Sequence, residues 1–138
     1  MRIQAGAAAS LAAVSVLAAA LCGSVPAAAD SAESQIRALL DGMNRSYNRG
    51  DFDSFAAHVC SELLRADGYR AGWYRSRRAD GPTSITVNTV RVDGDGAFAS
   101  VRFEAADHVR TLDVEFVRED GARGPEWKAC RYHPAQAV

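Results

Sequence analysis

The sequence predicts an α+β domain in which a helical hairpin and a short third helix pack on a curved antiparallel sheet of four strands. Three observations support this prediction. Apolar residues recur at helical spacing as far as Leu63, and β-branched residues are frequent from Thr83 onward, in segments that alternate apolar and polar positions. Short turn sequences rich in Gly and Asp separate these later segments, which is typical of a meander of antiparallel strands.

The first 29 residues have the features of a signal peptide. Arg2 precedes an apolar stretch at 7–22, and Ala27–Ala29 supplies the small residues that signal peptidase requires. We therefore expect the mature chain to begin at Asp30. The protein is then secreted or resides in the cell envelope, without stable membrane insertion after cleavage.

Residues 30–134 are expected to form one domain, followed by a short tail at 135–138. Without the signal peptide, 15 Lys and Arg face 17 Asp and Glu, so the basic excess of a nucleic-acid-binding protein is absent. Lipid anchoring at Cys22 is disfavoured, because Leu21 stands where lipoprotein signals have a small residue.

The stretch from Tyr47 to Phe55 joins the two helices of the predicted hairpin. Gly50 can adopt the left-handed conformation that ends a helix, and Asp51 can cap the next one. The apolar stripe of the first helix comprises Ile36, Leu39, Leu40, Met43 and Tyr47. That of the second comprises Phe52, Phe55, Ala56, Val59 and Leu63, with Cys60 near the same face.

A short third helix is predicted from Tyr69 to Arg78. Its four arginines either form an anion-binding lip or lie on a solvated helix end, and the second interpretation is favoured. Its aromatic residues either cap the core or, together with Tyr47 of the first helix, line the open end of a cone-shaped pocket. The candidate pocket residues are Tyr47, Tyr69, Trp73 and Tyr74.

Four strands complete the predicted domain. The turns between them are expected at 93–96, 106–108 and 119–125. One face of the second strand should be apolar, because Ala97, Ala99, Val101, Phe103 and Ala105 alternate with Phe98, Ser100, Arg102 and Glu104. A strongly twisted sheet curled around a helix pair leaves a cone whose open end can hold a ligand.

This order of elements resembles the nuclear-transport-factor-2-like superfamily, which includes ketosteroid-isomerase-like and polyketide-cyclase-like proteins with a cystatin-like cone. The resemblance rests on the segments Ile36–Leu40, Tyr47–Asp53 and Trp127–Cys130. It implies a first long helix that ends in a Gly-Asp turn and a closing strand with a Trp followed by a basic residue. Because the superfamily holds isomerases, cyclases, dehydratases and binding modules, the fold does not choose among these functions.

The sequence offers no matched set of catalytic residues. Asp107 and His108 are neighbours in a turn and are expected to point apart, while His58 and His133 occur singly. No cofactor-binding or metal-binding motif is present, so no catalytic residue, cofactor or metal is predicted.

The leading functional hypothesis is therefore a non-catalytic binding module for a small apolar ligand or a protein partner. The alternative is a small-molecule isomerase, cyclase or dehydratase that uses the same cone. A buried His or Asp hydrogen-bonded to a tyrosine inside the cavity would favour the enzyme. A homodimer through the sheet face is a further alternative, and an exposed apolar patch on the strands would favour it.

A disulfide between Cys60 and Cys130 is predicted. Signal-peptide cleavage removes Cys22 and leaves an even pair in a compartment where disulfides persist. Secreted members of the superfamily that the chain resembles pair a cysteine of the second helix with one of the last strand in the same way. With strict alternation, Cys130 shares a face with Lys128 and Tyr132, and Trp127 points the other way, toward a dimer contact.

Overall fold

Four helices followed by four strands make up the fold, as seen in a computed structural model that describes residues 28–135. The helices are α1 (Ala28–Arg49), α2 (Phe52–Ala56), α3 (Ser61–Leu64) and α4 (Tyr69–Asp80). The strands are β1 (Ser84–Asp93), β2 (Gly96–Glu104), β3 (Val109–Gly121) and β4 (Gly124–Pro134). Neighbouring strands are antiparallel in the order β1-β2-β3-β4, which confirms the predicted fold class. The predicted signal peptide lies almost wholly outside the described residues.

The core lies between α1 and the inner face of the sheet. Ile36 of α1 is fully buried, and so are Val101 of β2 and Phe116 of β3. The other residues of the α1 stripe are buried as predicted, except that Tyr47 at its end is half-buried, because residues three and four apart lie on one side of a helix. The alternating residues of β2 are likewise buried at Ala97 and Ala99. Helix and sheet therefore meet through the two apolar patterns that the sequence shows.

The turn after α1 has the predicted chemistry. Gly50 has a φ of 66°, a left-handed conformation that residues with a Cβ rarely adopt. Asp51 accepts hydrogen bonds from the backbone N–H of Ser54 at 3.1 Å and from its hydroxyl at 2.6 Å. These two hydrogen bonds lower the pKa of the Asp51 carboxyl. The N-terminus of α2 is thus capped immediately after the glycine.

Replacement of Gly50 by Ala is expected to lower the free energy of unfolding by about 1–2 kcal/mol, because the left-handed conformation forces Cβ toward the following carbonyl. Urea unfolding monitored by circular dichroism measures the change. Gly72→Ala is the matched control: Gly72 lies inside α4 without a positive φ, so alanine there is expected to be neutral or to stabilise by up to about 1 kcal/mol. Equal losses in both variants would contradict this explanation.

The predicted second helix is interrupted and forms two short helices. Residues 58–60 run along the outer edge of β4 instead, where Val59 forms a parallel bridge with Ala129. The backbone N–H of Ala129 donates to the carbonyl of His58 at 2.8 Å, and Cys60 N–H donates to the carbonyl of Ala129 at 2.9 Å. The sheet edge therefore satisfies backbone groups that would otherwise continue the helix.

A bulge in β4 places Cys130 for the disulfide. The pairing with β3 passes from Ala129 opposite Phe116 to Arg131 opposite Glu115, which leaves Cys130 as the extra residue. Consecutive residues 129 and 130 are both buried as a result. The predicted Cys60–Cys130 disulfide is confirmed and links β4 to the N-cap of α3.

The same bulge explains why the predicted orientation of Trp127 is wrong. Strict alternation predicts Trp127 on the outer face of the sheet. In the structure Trp127 is only 5% exposed and belongs to the core. The guanidinium of Arg118 covers the indole at 4.3 Å from the ring centroid. A dimer contact through Trp127 is therefore excluded by its burial.

His58 gives the fold a dependence on pH. It packs against Gly42, where an added Cβ would lie 3.0 Å from the His58 ring nitrogen Nε2. Burial lowers the pKa of His58, and the charges of Lys128 and Arg45 lower it further. Because the folded pKa lies below the unfolded value, the unfolded chain binds more protons below about pH 6.5. His58 therefore contributes its full stabilisation above that pH, and this stabilisation is lost as the pH falls through the folded pKa of His58.

His58→Gln is expected to reduce the loss of stability on acidification. The measurement is the free energy of unfolding in urea at about pH 7.5 and about pH 5.5. The variant should lose less stability between these two values than the parent protein. His133→Gln is the control, because the His133 side chain is 54% exposed, and it should lose as much as the parent. An unchanged acid loss in His58→Gln would refute the assignment.

Candidate functional site

A cavity of about 390 Å³ opens between the helices and the curved sheet. Most of its wall is apolar or aromatic. These residues are Leu40, Met43, Tyr47, Phe55, Tyr69, Trp73, Ile85, Phe103, Leu112 and Tyr132. The wall also contains a smaller set of polar residues: Asn44, Asp67, Ser76, Asp80, Thr83, His108 and Arg110. An apolar cavity with a few convergent polar groups is typical of a small-molecule site.

Three of the four candidate pocket residues lie on this wall, namely Tyr47, Tyr69 and Trp73. The rings of Tyr47 and Trp73 meet edge to face, with centroids 5.4 Å apart. Tyr74 is not among the lining residues; its ring packs against Phe52, with centroids 6.0 Å apart. A ligand-binding role for these residues stays a prediction.

The carboxylate of Asp80 lies at the centre of a polar cluster at one end of the cavity. The Tyr47 hydroxyl donates to Asp80 Oδ2 at 2.8 Å, and the Ser76 hydroxyl lies 3.3 Å from the same oxygen. His108 Nε2 is 3.3 Å from Asp80 Oδ1, and an Arg110 guanidinium nitrogen is 3.5 Å from Oδ2. The Asp80 side chain is only 10% exposed, so its charge is held by four surrounding groups rather than by water.

Four separate elements supply this cluster. Ser76 and Asp80 lie four residues apart on α4 and therefore share a face that looks toward Tyr47 of α1. His108 stands in the turn between β2 and β3, which is closed by a hydrogen bond from Ala105 N–H to the His108 carbonyl at 2.9 Å. Arg110 follows two residues later, near the start of β3. The cluster thus joins the end of α4 to the sheet.

His108 lies between two carboxylates. Its Nδ1 is 2.7 Å from Asp107 Oδ1, while its Nε2 faces Asp80. The expectation that Asp107 and His108 point apart is therefore wrong. A neutral imidazole carries one N–H and can donate to only one of these carboxylates, whereas an imidazolium can donate to both. His108 therefore connects Asp107 of the turn to Asp80 at the end of α4.

Tyr47 acts as a donor in this arrangement. Burial raises the pKa of its phenol; the hydrogen bond with Ser76 opposes the increase, and the negative charge of Asp80 adds to it. The phenol therefore stays protonated at neutral pH and can hold its hydrogen bond to the carboxylate.

Two of the four arginines of α4 have structural partners. Arg77 donates to the carbonyls of Tyr47 and Asn48 at 2.7 Å and 2.9 Å, which satisfies the C-terminal end of α1. Arg70 lies 4.7 Å from the ring centroid of Phe52 and 3.5 Å from Asp53. These contacts support the interpretation of the segment as a helix surface rather than an anion-binding lip.

Within 28–135, no group of three or more His, Cys, Asp or Glu side chains is arranged to hold a metal ion. Of the helices in that range, none combines the length and the apolar character that a membrane span requires.

Sequence reasoning did not find Ser76, Asp80 or Arg110. Asp80 precedes Gly81 and Pro82, so it resembles an ordinary helix-ending residue. One signal was present: Tyr47 is the only member of its apolar stripe with a polar group, and a buried hydroxyl requires a partner.

Solved structures share this fold. An NTF-2-like protein of unknown function from Shewanella oneidensis MR-1 is 15% identical, with a TM-score of 0.53 over 74% of this chain and 97% of that one. A "putative dehydratase" of the NTF2-like family from Streptomyces avermitilis is 12% identical, with a TM-score of 0.50 over 78% of this chain and 99% of that one. The sequence matches no protein-family model and no curated protein.

Proposed function

Because the chain has the nuclear-transport-factor-2-like fold, we propose that it binds a small, mostly apolar molecule inside the cone, with the polar end of that molecule at the Asp80 cluster. The supporting observation is the cavity itself. Most of its wall is aromatic or aliphatic, and Tyr47, His108 and Arg110 meet Asp80 at its polar end. Such a site releases water from apolar surface on binding and orients the ligand through few polar contacts.

Native mass spectrometry of exported protein tests for a co-purified small molecule. A titration with tetralin, a compact bicyclic hydrocarbon, tests the cavity directly, and isothermal titration calorimetry measures the affinity in the parent and in each variant. We expect binding that Trp73→Ala weakens and Tyr74→Ala does not, with circular dichroism used to confirm that both variants are folded. The absence of both a retained molecule and tetralin binding would overturn the proposal.

A second candidate function is proton transfer on the bound molecule, as in an isomerase or a dehydratase. A specific observation favours it: a tyrosine hydroxyl and a histidine both contact one buried carboxylate at the cavity wall. In this scheme His108 is the acid or base, and Asp80 orients its ring. One of the proteins that share the fold is named a "putative dehydratase", which makes this class of reaction the first to test.

Hydrogen–deuterium exchange at the carbon beside the carbonyl of 2-tetralone tests this chemistry by NMR. A positioned general base should accelerate the exchange above the rate in buffer, typically by about 100-fold or more. His108→Gln should lose the acceleration, and His133→Gln should retain it. An exchange rate equal to that in buffer would leave binding as the only function supported.

We also propose that the protein is exported and cleaved after Ala29. The disulfide is compatible with this compartment, since disulfides persist outside the reducing cytosol. N-terminal sequencing of exported protein should give Asp-Ser-Ala-Glu. A lipid-modified start at Cys22 would overturn the proposal.

A protein partner or a homodimer through the outer sheet face remains a proposal of a different kind. Phe98 and Val109 are exposed on the strands, at 37% and 53%. Light scattering on the exported protein measures the mass in solution, and a monomer at high concentration would exclude the dimer.

A further inference from the structure

Arg110 brings a positive charge to the inner face of the curved sheet. It stands directly opposite Phe103 of β2, and residues directly opposite each other in an antiparallel pair share a face. Leu112, two residues further along β3, lies on that face as well. All three line the cavity, so the Arg110 side chain points toward it. Of the lining residues within 28–135, Arg110 is the only arginine or lysine.

Most of the hydrogen-bonding capacity of this guanidinium is unused. Among the described residues its side chain makes one polar contact, the 3.5 Å approach to Asp80 Oδ2. A guanidinium carries five N–H donors in a planar fork. The Tyr47 hydroxyl and His108 Nε2 lie closer to the Asp80 carboxylate, at 2.8 Å and 3.3 Å, so Asp80 does not depend on Arg110 alone. Arg110 can therefore engage a second acceptor without leaving Asp80 unpaired.

The exposure of Arg110 indicates which acceptor fits. Its side chain is 50% exposed, whereas that of Asp80 is 10% exposed, so Arg110 lies where the cavity opens to solvent. A charged ligand group at this opening keeps part of its hydration and avoids the cost of a fully buried charge. A carboxylate matches the guanidinium fork through two parallel hydrogen bonds. The donors that already surround Asp80 reduce its repulsion of a second carboxylate.

We propose that Arg110 binds a carboxylate of the ligand at the opening of the cavity. The ligand class is a compact apolar monocarboxylic acid. Its hydrocarbon body fills the cavity, and its carboxylate stays at the opening beside the Asp80 cluster. This proposal rests on the proposed binding function and adds the charge of the ligand to it.

The test compares tetralin with 1,2,3,4-tetrahydro-2-naphthoic acid, which adds one carboxylate to the same carbon skeleton. At neutral pH the parent protein should bind the acid about tenfold more tightly, the lower end of the range for a hydrogen bond to a charged group. Arg110→Met should abolish this preference, because methionine keeps an apolar side chain of similar length without the charge. Isothermal titration calorimetry measures the affinities, and circular dichroism confirms that the variant is folded.

Arg102→Met is the matched control and should keep the preference for the acid. Arg102 of β2 is 48% exposed and also forms an ion pair with one carboxylate, that of Glu104. It precedes the inward-facing Phe103 and therefore lies on the outer face of the sheet, away from the cavity. The two variants thus remove the same charge from opposite faces. Equal losses of the preference in both would overturn the assignment to Arg110.

Two measurements on the parent protein need no variant. The preference for the acid should shrink between about 0.05 M and about 0.5 M NaCl, because salt screens an ion pair at the cavity opening. 2-Tetralone, which has a neutral acceptor oxygen, should bind less tightly than the acid. Equal affinity for the acid and for either neutral compound, or a preference that persists in Arg110→Met, would overturn the inference alone. Failure of the parent to bind any of the three compounds would overturn the proposed binding function itself.

Discussion

Replacement of both Cys60 and Cys130 by Ser is expected to lower the free energy of unfolding by about 4 kcal/mol, the loop-closure value for a bridge of this span. The two cysteines are 70 residues apart in sequence, so the bridge restricts a large part of the unfolded chain. Small domains have a total stability of about 5–15 kcal/mol, which makes this the largest stability effect we expect. Urea unfolding at neutral pH measures it, and the melting temperature should fall by about 15 °C.

Reduction of the parent protein with dithiothreitol is the matched control. The sulfur of Cys60 also accepts a hydrogen bond from Leu63 N–H at 3.4 Å, so the serine variant changes the cap of α3 as well as the bridge. Reduced parent protein retains the sulfur atoms and isolates the effect of the bridge. A loss below about 1 kcal/mol in both samples would contradict the loop-closure account.

Asp80→Asn is expected to have the largest effect on the candidate site. Asparagine has one acceptor oxygen and one NH₂ group, so it cannot accept from Tyr47, His108 and Arg110 as the carboxylate does. The free energy of unfolding should fall by about 1–3 kcal/mol, the effect of leaving buried partners unpaired. Any exchange activity toward 2-tetralone should fall by at least about tenfold, because His108 loses the group that orients it.

Asp67→Asn provides the control for charge. Asp67 also lines the cavity but is exposed, so neutralising it changes the local charge without removing a buried partner. Its stability should stay within about 0.5 kcal/mol of the parent. If the two variants behave alike, the buried hydrogen bonds of Asp80 are not the cause of its effect.

The sequence-based predictions succeeded where the determinants are local. The stripe from Ile36 to Tyr47 needs only helical periodicity, and Gly50 with Asp51 needs only the chemistry of a helix end and a cap. The disulfide followed from the number of cysteines and the predicted export. These features depend on neighbours within one or two turns, or on simple counting.

The candidate site depends on contacts between distant segments. Asp80 meets His108 and Arg110 only because the fold brings the end of α4 next to the start of β3, and the periodicity of α4 does not indicate this contact. The interrupted second helix has a similar cause, since the edge of β4 competes for the backbone of residues 58–60. The reversed orientation of Trp127 comes from a one-residue bulge, which alternation alone does not reveal.

The segment that borders β4 also protects the sheet against association with other chains. A free edge strand presents unpaired N–H and C=O groups that recruit further strands and lead to aggregation. Here residues 58–60 occupy the middle of the β4 edge. On the opposite edge, β1 is interrupted by an irregularity between Val87 and Thr89, and the Val87 carbonyl accepts from Arg37 at 3.4 Å. Neither edge offers an uninterrupted template, so growth into stacked β-structure is opposed from both sides.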